Sequence, residues 1–467
     1  MRISELDGRR VAIWGWGREA RAAHAAVRSR LPTLALTAIC SESEAAEVLA
    51  LNDALVQPST QADADALASF DVVIKSPGIS PYRSEVEQAL ASGTRFVGGT
   101  ELWFAEYSVG SRQEARTICV TGTKGKSTTT ALIAHMLRAG GHRTALAGNI
   151  GMPLLELLDP SSPPEFWVIE LSSYQTRDVA ASGVRPDVAV GLNVYPEHLD
   201  WHGSEARYVA DKLALFSDAH PHTIVLNKLD RTLAALELPD WQVQWFNAPH
   251  GWHVSHGQLL KGDDYIIDTR AIPLPGRHNL WNVCAALAAI DALGIDASAL
   301  AAHAMTFMPL PHRLQPLGMR DGVGYVNDSI STTPHASMAA LDCYADNDVA
   351  ILVGGFDRGV DWSPFVERMH ERPAHAVITM GQNGPRIRDA LQDLANEGIL
   401  QLHAAQDMAE AVAIARAALT QGGTILLSPG APSFGAYVDY AARGRDFAAM
   451  AGFDPDAISR IPGLGIA

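Results

Sequence analysis

The sequence predicts an α/β protein built on parallel sheets in three domains. Short β-branched runs alternate with Ala- and Leu-rich stretches almost throughout, the pattern of strands buried on both faces and the helices that cover them. Glycine- and proline-marked turns follow these runs, at the carboxyl ends of strands where ligands sit in open parallel sheets. A chain of 467 residues exceeds an ordinary single domain and suits three.

Taken in chain order, Arg10-Val-Ala-Ile-Trp14 reads as a strand that runs into Gly15-Trp16-Gly17, and an Ala-rich helix follows over about Arg18–Arg28. The G-x-G-x-x-G pattern is incomplete there, because Ala20 holds the third glycine position, so the turn alone reads as packing as readily as ligand binding. A second strand, Asp71-Val-Val-Ile-Lys75, ends in Ser76-Pro77-Gly78-Ile79. A polar stretch from Ser108 to Arg116 precedes a fresh strand at Thr117-Ile-Cys-Val120, and two prolines interrupt the helical pattern in Phe307-Met-Pro-Leu-Pro-His-Arg313. These breaks set domains at 1–110, 111–308 and 309–467. The last third repeats the theme with Val349-Ala-Ile-Leu-Val, Ala376-Val-Ile-Thr and Thr424-Ile-Leu-Leu, with no internal repeat or low-complexity tract.

Composition narrows the partners. Lys and Arg number 36 against 52 Asp and Glu, a net charge of −16, which argues against a nucleic-acid or anionic-membrane partner. Cys40, Cys119, Cys284 and Cys343 form no C-x-x-C pair, so neither a zinc site nor a disulfide framework is expected. The opening Met1-Arg-Ile-Ser-Glu-Leu lacks an apolar leader core, and no apolar run reaches the ~18 residues of a spanning helix. The expectation is a cytoplasmic protein without membrane insertion, and a monomer.

The strongest local signal is Ile118-Cys-Val-Thr-Gly-Thr-Lys-Gly-Lys-Ser-Thr128. A strand enters Gly122, Thr123, Lys124 and Gly125, and Lys126, Ser127 and Thr128 open a helix. Glycines let backbone N–H groups turn toward phosphate oxygens, and the helix N-terminus adds positive potential. Lys126 is placed to meet the β- and γ-phosphates of ATP, with the Ser127 hydroxyl on Mg²⁺. The loop is a shorter G-T-x-G-K-S form, since Val120 stands where a longer phosphate loop has its first glycine.

This loop is followed in order by Gly148-Asn-Ile-Gly, Glu170-Leu-Ser-Ser-Tyr-Gln175, Glu197-His-Leu-Asp200 and Asp211-Lys-Leu. Then come Leu274-Pro-Gly-Arg-His-Asn-Leu-Trp-Asn282, Pro311-His-Arg, Asn327-Asp-Ser, Gly354-Gly and Leu427-Ser-Pro-Gly. The ordered set resembles the Mur ligase family over essentially the full chain, and within it the MurD type, which adds glutamate. Folylpolyglutamate synthases share the loop, but Ser76-Pro77-Gly78-Ile79 favours the MurD type. The resemblance implies a Rossmann-like UDP-binding domain, a P-loop ATPase-like centre and a Rossmann-like C-terminal domain. It further implies ligation of glutamate to UDP-N-acetylmuramoyl-L-alanine at the cost of ATP, through an acyl phosphate.

Residue roles follow from that resemblance. Glu170 ends the apolar run Phe166-Trp-Val-Ile169, projects toward the loop and matches a Mg²⁺-ligating glutamate rather than a solvated strand-end acid. His198 matches a second-metal histidine, although a lone His reads as a surface or satisfied core residue. Lys212 matches an N-carboxylated lysine that supplies an anionic oxygen to the second of two Mg²⁺ ions, although the residues alone give a helix-surface lysine. Asn279 and Asn282, three apart at a helix start, match nucleotide contacts, while Asn279 also suits a helix cap. Arg313 matches an arginine on the ATP phosphates and Asp328 a ribose contact. Asn149, Ser172 and Gln175 match the hold on the muramoyl-alanine part, and Gly15, Trp16, Gly17, Ser76, Pro77 and Gly78 the uridine end. Thr332, Arg358, Ser433, Phe434 and Tyr440 fall at the glutamate site.

Departures from the family pattern cluster at that last site. Lys124 stands for the usual Asn of the loop, an extra cation near phosphate. Ile330 and Arg358 each replace a common Lys, and Tyr440 replaces a Phe. A planar guanidinium does not hold a carboxylate as a compact ammonium does. The pattern looks more like a branch of the family that adds L-glutamate than like the D-glutamate enzymes.

Overall fold

The computed structural model describes residues 1–108, 115–239 and 242–467. It divides into two compact units, one of Met1–Ile272, Trp281–Thr306 and Gly463–Ala467, the other of Pro273–Leu280 and Phe307–Pro462. The expected break at 110/111 lies outside the described residues, and the chain on either side of it belongs to one unit.

Within the first unit the amino-terminal residues form a five-stranded parallel sheet, in the order Val56–Ser59, Leu36–Ile39, Val11–Trp14, Val72–Lys75 and Arg95–Val97. Val11–Trp14 and Val72–Lys75 are buried at every position because helices cover both faces. The chain leaves Val11–Trp14 toward one edge and returns at Val72–Lys75 on its other side. The carboxyl ends of these two strands therefore flank the switch point where doubly wound sheets bind ligands. Gly15–Gly17 and Ser76–Gly78 follow them.

A second sheet of seven strands runs Val243–Phe246, Thr223–Asn227, Val188–Gly191, Arg116–Thr121, Phe166–Glu170, Thr144–Gly148 and Gly465–Ile466. All pair in parallel except Gly465–Ile466, which lies antiparallel on the edge. The strand that feeds the phosphate loop is central, and the order reverses around it. Trp103, Tyr107 and Trp167 join the helix Gly99–Tyr107 to this sheet, with the Trp103 and Trp167 rings 4.9 Å apart. A small antiparallel sheet, Trp252–Ser255, Gln258–Lys261 and Asp264–Asp268, adds to this unit.

The second unit is built on six strands in the order Gln315–Arg320, Val323–Asn327, Gly423–Leu427, Val349–Val353, Ala376–Thr379 and Gln401–Ala404. Only the edge strand Gln315–Arg320 is antiparallel, and its alternating exposure marks it as half solvated. Among the described residues no helix is long and apolar enough to cross a membrane. All four cysteines are unpaired, and three of them are buried.

Candidate active site

Three strand ends of the second sheet carry most of the residues expected at phosphate and metal. Arg116–Thr121 runs into Gly122–Gly125, and the helix Lys126–Ala139 leaves from it. Gly125 caps that helix in the left-handed region at φ +86°, and a Cβ there would come 2.5 Å from Asn282 Oδ1. Glycine is required twice over, by conformation and by the buried Asn282 amide that packs on the loop. Lys126 folds back, its ammonium donating to the carbonyls of Gly122 and Thr123 at 2.9 Å each. Ser127, in the first helical turn, is only 5% exposed.

The segment after Val188–Gly191 locks the loop from the other side. Lys124 N donates to Asn193 Oδ1 at 2.8 Å, and Asn193 Nδ2 donates back to Lys124 O at 3.0 Å. The Lys124 ammonium reaches Glu197 Oε1 at 2.6 Å. The cation expected beside the phosphates is thus paired with an acid, in a partly exposed ion pair that contributes little and exchanges partners readily.

Glu170 ends the neighbouring strand and is the register partner of Val120, two residues before the loop. It is 1% exposed, not a solvated strand-end acid. Asn149 Nδ2 donates to its Oε1 at 2.8 Å, while the buried Oε2 meets no hydrogen-bond donor. A buried carboxylate oxygen without a partner costs on the order of 1–3 kcal/mol, and a divalent cation is the group that fits it. Among the described residues no three His, Cys, Asp or Glu side chains converge into a ready metal cage. A cation here would lean on the Ser127 hydroxyl and on substrate oxygens as well.

His198 holds φ +56°, a conformation a non-glycine residue rarely keeps without a local reason. It caps the short helix Leu199–His202, and its half-exposed ring lies 5.2 Å from that of Tyr174. Burial lowers its pKa and favours the neutral imidazole that ligates metals, although Glu197 pulls the other way. Lys212, on the helix Glu205–Ser217, corrects the sequence reading: it is 2% exposed rather than on the helix surface. Burial draws its pKa well below the ordinary lysine value, and the charge of Lys126 adds to that. Its Nζ lies 5.1 Å from the Tyr208 ring centroid, with no hydrogen-bonded or ion-paired partner among the described residues.

The expected substrate residues differ in exposure. Asn149 is exposed, with its amide on Glu170. Ser172 instead donates to Gln175 Oε1 at 2.8 Å, and Gln175 Nε2 donates to Thr100 Oγ1 at 3.2 Å, so both serve an internal tie. At the first sheet, a Cβ on Gly15 would lie 2.7 Å from Ser76 Oγ, so the two predicted turns abut. The Trp16 indole is 1% exposed and belongs to the core. The Gly15 and Ser76 N–H groups donate to Ile39 O and Trp14 O, so neither is open to a ligand.

In the second unit, Asp328 is buried with both oxygens engaged. Oδ1 accepts from Leu314 N at 3.1 Å, and Oδ2 accepts from the hydroxyls of Ser331 and Ser428. Burial pushes its pKa up to about 6. Asn279 donates to Pro275 O at 2.7 Å, a use of its amide different from accepting at a helix start. Arg313 is partly exposed beside these residues in the chain. Arg358 lies 5.7 Å over the Phe434 ring, Phe434 packs edge-on to Phe356, and Ser433 is buried next to them. Tyr440 is 40% exposed and its carbonyl accepts from Ser329 Oγ at 2.8 Å. The segments carrying Ile330, Phe434 and Tyr440 therefore meet, while Thr332 stands partly exposed ahead of the helix Pro334–Asp342.

Two residues escaped the sequence reading. Arg443 is 2% exposed and donates to Ser329 Oγ, Ser329 O and Ala431 O at 3.0, 2.7 and 3.0 Å, stapling segments expected to form the amino-acid site. His312, at φ +62°, is buried with Nε2 unpartnered, and its Nδ1 meets Asn327 Nδ2 at 3.0 Å. An Arg within an Ala-rich helix and a His between Pro and Arg carry no local signal of either role.

Comparison with known proteins agrees with this geometry. The Mur ligase middle domain matches residues 120–290, and the Mur ligase glutamate ligase domain matches residues 312–431. A relative from Xanthomonas euvesicatoria pv. vesicatoria, UDP-N-acetylmuramoyl-L-alanine--L-glutamate ligase, is 60% identical over 467 residues, covering 100% of both chains. A relative of the same name from Salinispora tropica is 39% identical over 96% of this chain and 98% of its own. The solved UDP-N-acetylmuramate-alanine ligase MurC from Thermotoga maritima shares the fold, with TM-score 0.58 at 18% identity over 95% of this chain and 99% of that one. The chain belongs to the Mur ligase family of ATP-dependent amide-forming ligases.

Proposed function

We propose that the protein joins L-glutamate to UDP-N-acetylmuramoyl-L-alanine in peptidoglycan precursor synthesis, acting as a cytoplasmic monomer. The observation that carries the reaction class is the buried, unpartnered Glu170 Oε2 beside a lysine-closed phosphate loop. The substrate carboxylate attacks the γ-phosphorus of ATP, the bond to ADP breaks, and an acyl phosphate forms. The glutamate amine then attacks the acyl carbon, releasing phosphate and a proton. The obstacle is one anion approaching another, so fixed cations must offset the repulsion. Lys126 serves at the γ-phosphate, with Lys124 released from Glu197 as a second cation. Ser127 and Glu170 would hold Mg²⁺, which would supply further charge neutralisation. As an ammonium Lys212 cannot ligate a second Mg²⁺ with His198; its depressed pKa favours the neutral amine that adds CO₂ and gives an oxygen ligand.

The 60%-identical relative named for L-glutamate supports that enantiomer, as do Ile330, Arg358 and Tyr440 around the amino-acid site. The test is phosphate release from ATP by the purified protein with UDP-N-acetylmuramoyl-L-alanine and glutamate. One phosphate per amide formed, by product mass, is expected. Turnover with a tetrahydrofolate acceptor and none with the uridine substrate would replace this reading with a folylpolyglutamate ligase.

A further inference from the structure

The side chains behind Lys212 and His198 form a buried network that none of the roles above uses. Asp211, the residue before Lys212, is 1% exposed. Its Oδ1 accepts from the Tyr82 hydroxyl at 2.6 Å and from Arg177 Nε, and its Oδ2 lies 2.6 Å from His202 Nδ1. His202 Nε2 in turn lies 3.0 Å from Ser173 Oγ. Ser173, His202 and Asp211 have the connectivity of a nucleophile triad, but at 5%, 0% and 1% exposure no carbonyl can reach the serine. Their geometry is that of a scaffold.

What the scaffold connects is specific. Tyr82 follows the Ser76-Pro77-Gly78 turn of the first sheet, and through Asp211 it fixes the helix at Lys212. The same turn reaches His198 by another route. Pro77 O accepts from Trp201 Nε1 at 3.1 Å, and the Ser80 hydroxyl donates to Trp201 O. The Trp201 ring stacks on Tyr174 at 4.4 Å, and Tyr174 lies 5.2 Å from the His198 ring. His202 N also donates to His198 O at 3.1 Å, so the two routes share one short helix.

We propose that Tyr82, Asp211 and Trp201 are positioning residues that transmit the seating of the uridine substrate on the Ser76–Tyr82 turn to Lys212 and His198. This rests on the proposed function, in which that turn holds substrate and those two residues serve phosphoryl transfer. A buried carboxylate with three donors is rigid, and a displacement near 1 Å at a reacting centre costs about a hundredfold in rate. Substrate on the turn and a set lysine are thereby one event.

Tyr82→Phe removes one hydroxyl and keeps the ring. Its Kd for UDP-N-acetylmuramoyl-L-alanine, by calorimetry without ATP, should stay within about threefold of wild type while kcat falls at least tenfold. Adding Tyr82→Phe to Asp211→Asn should cost little more, because both cut one tie. If Asp211→Asn does not fold, Trp201→Phe, which weakens the other route, should show the same split. The non-kinetic readout is the ¹³C carbamate resonance formed from labelled bicarbonate, assigned by its absence in Lys212→Ala. It should grow on adding the uridine substrate to wild type and not in Tyr82→Phe. A wild type with no such resonance refutes the carbamate within the proposed function, and the kcat-against-Kd split then decides the coupling alone. Wild-type kcat in Tyr82→Phe, or losses that multiply in the double variant, overturns the proposal.

Discussion

Lys212 shows what a single side chain gains from its surroundings. On its own helix it reads as a surface lysine; in the fold it is 2% exposed, with a pKa drawn far down by burial. Lys212→Ala should reduce kcat at least a hundredfold, with partial recovery in acetate, whose oxygens can take the place of a carbamate. A Lys212→Ala enzyme as active as wild type contradicts the role. Asp328 gives a prediction in pH. Its carboxyl holds a proton up to about pH 6 in the folded protein, against about 3.8 for an ordinary aspartate. The folded state binds that proton more tightly, so the stabilisation is present below about pH 4 and lost as pH rises through about 6. The advantage of wild type over Asp328→Asn in denaturant unfolding should shrink by on the order of 3 kcal/mol from pH 4 to 7. A constant difference would contradict the burial assigned to it. Lys126, Ser127 and Glu170 were legible because strand, glycine loop and helix start are local signals. The burial of Lys212 and the contacts of His312 and Arg443 were not, because burial and convergence are made by distant segments.

At the level of elements, the strands in long β-branched runs, such as Val349–Val353 and Phe166–Glu170, stand out in the sequence. Val56–Ser59 contains a proline and is half exposed, so it gives no clear strand pattern. The hairpin strands from Trp252 to Asp268 are short and partly polar, and the two-residue edge strand Gly465–Ile466 has almost no pattern of its own. Each is a strand because a neighbour accepts its backbone. The convergence of Ile330, Phe434 and Tyr440 is likewise an element-level result, held by Arg443. Arg443→Ala leaves the Ser329 and Ala431 carbonyls without their donor, which should lower stability by about 2–4 kcal/mol. It should also raise the KM for glutamate several-fold more than that for ATP. Equal changes in both constants would mean that the staple does not belong to the amino-acid site.

Over the whole molecule, the acidic balance of −16 sits with two lysines, Lys124 and Lys126, on the loop expected to meet phosphate. Three sheets present glycine turns at strand ends, and the predicted phosphate-loop and uridine-end contacts lie on such turns. The chemistry was legible before the fold because these turns recur in a fixed order. Stereochemistry was less so, since enantiomers share every functional group and only the placement of partners separates them. An enantiomer that leaves a buried charge unpaired loses on the order of 1–3 kcal/mol, roughly ten- to a hundredfold in selectivity. The most direct measurement is steady-state kcat/KM for L- and D-glutamate in parallel, with UDP-N-acetylmuramoyl-L-alanine, saturating ATP and Mg²⁺. At least tenfold preference for L-glutamate is predicted. A preference for D-glutamate would contradict the reading of Ile330, Arg358 and Tyr440, and no amide with either enantiomer would contradict the ligase itself.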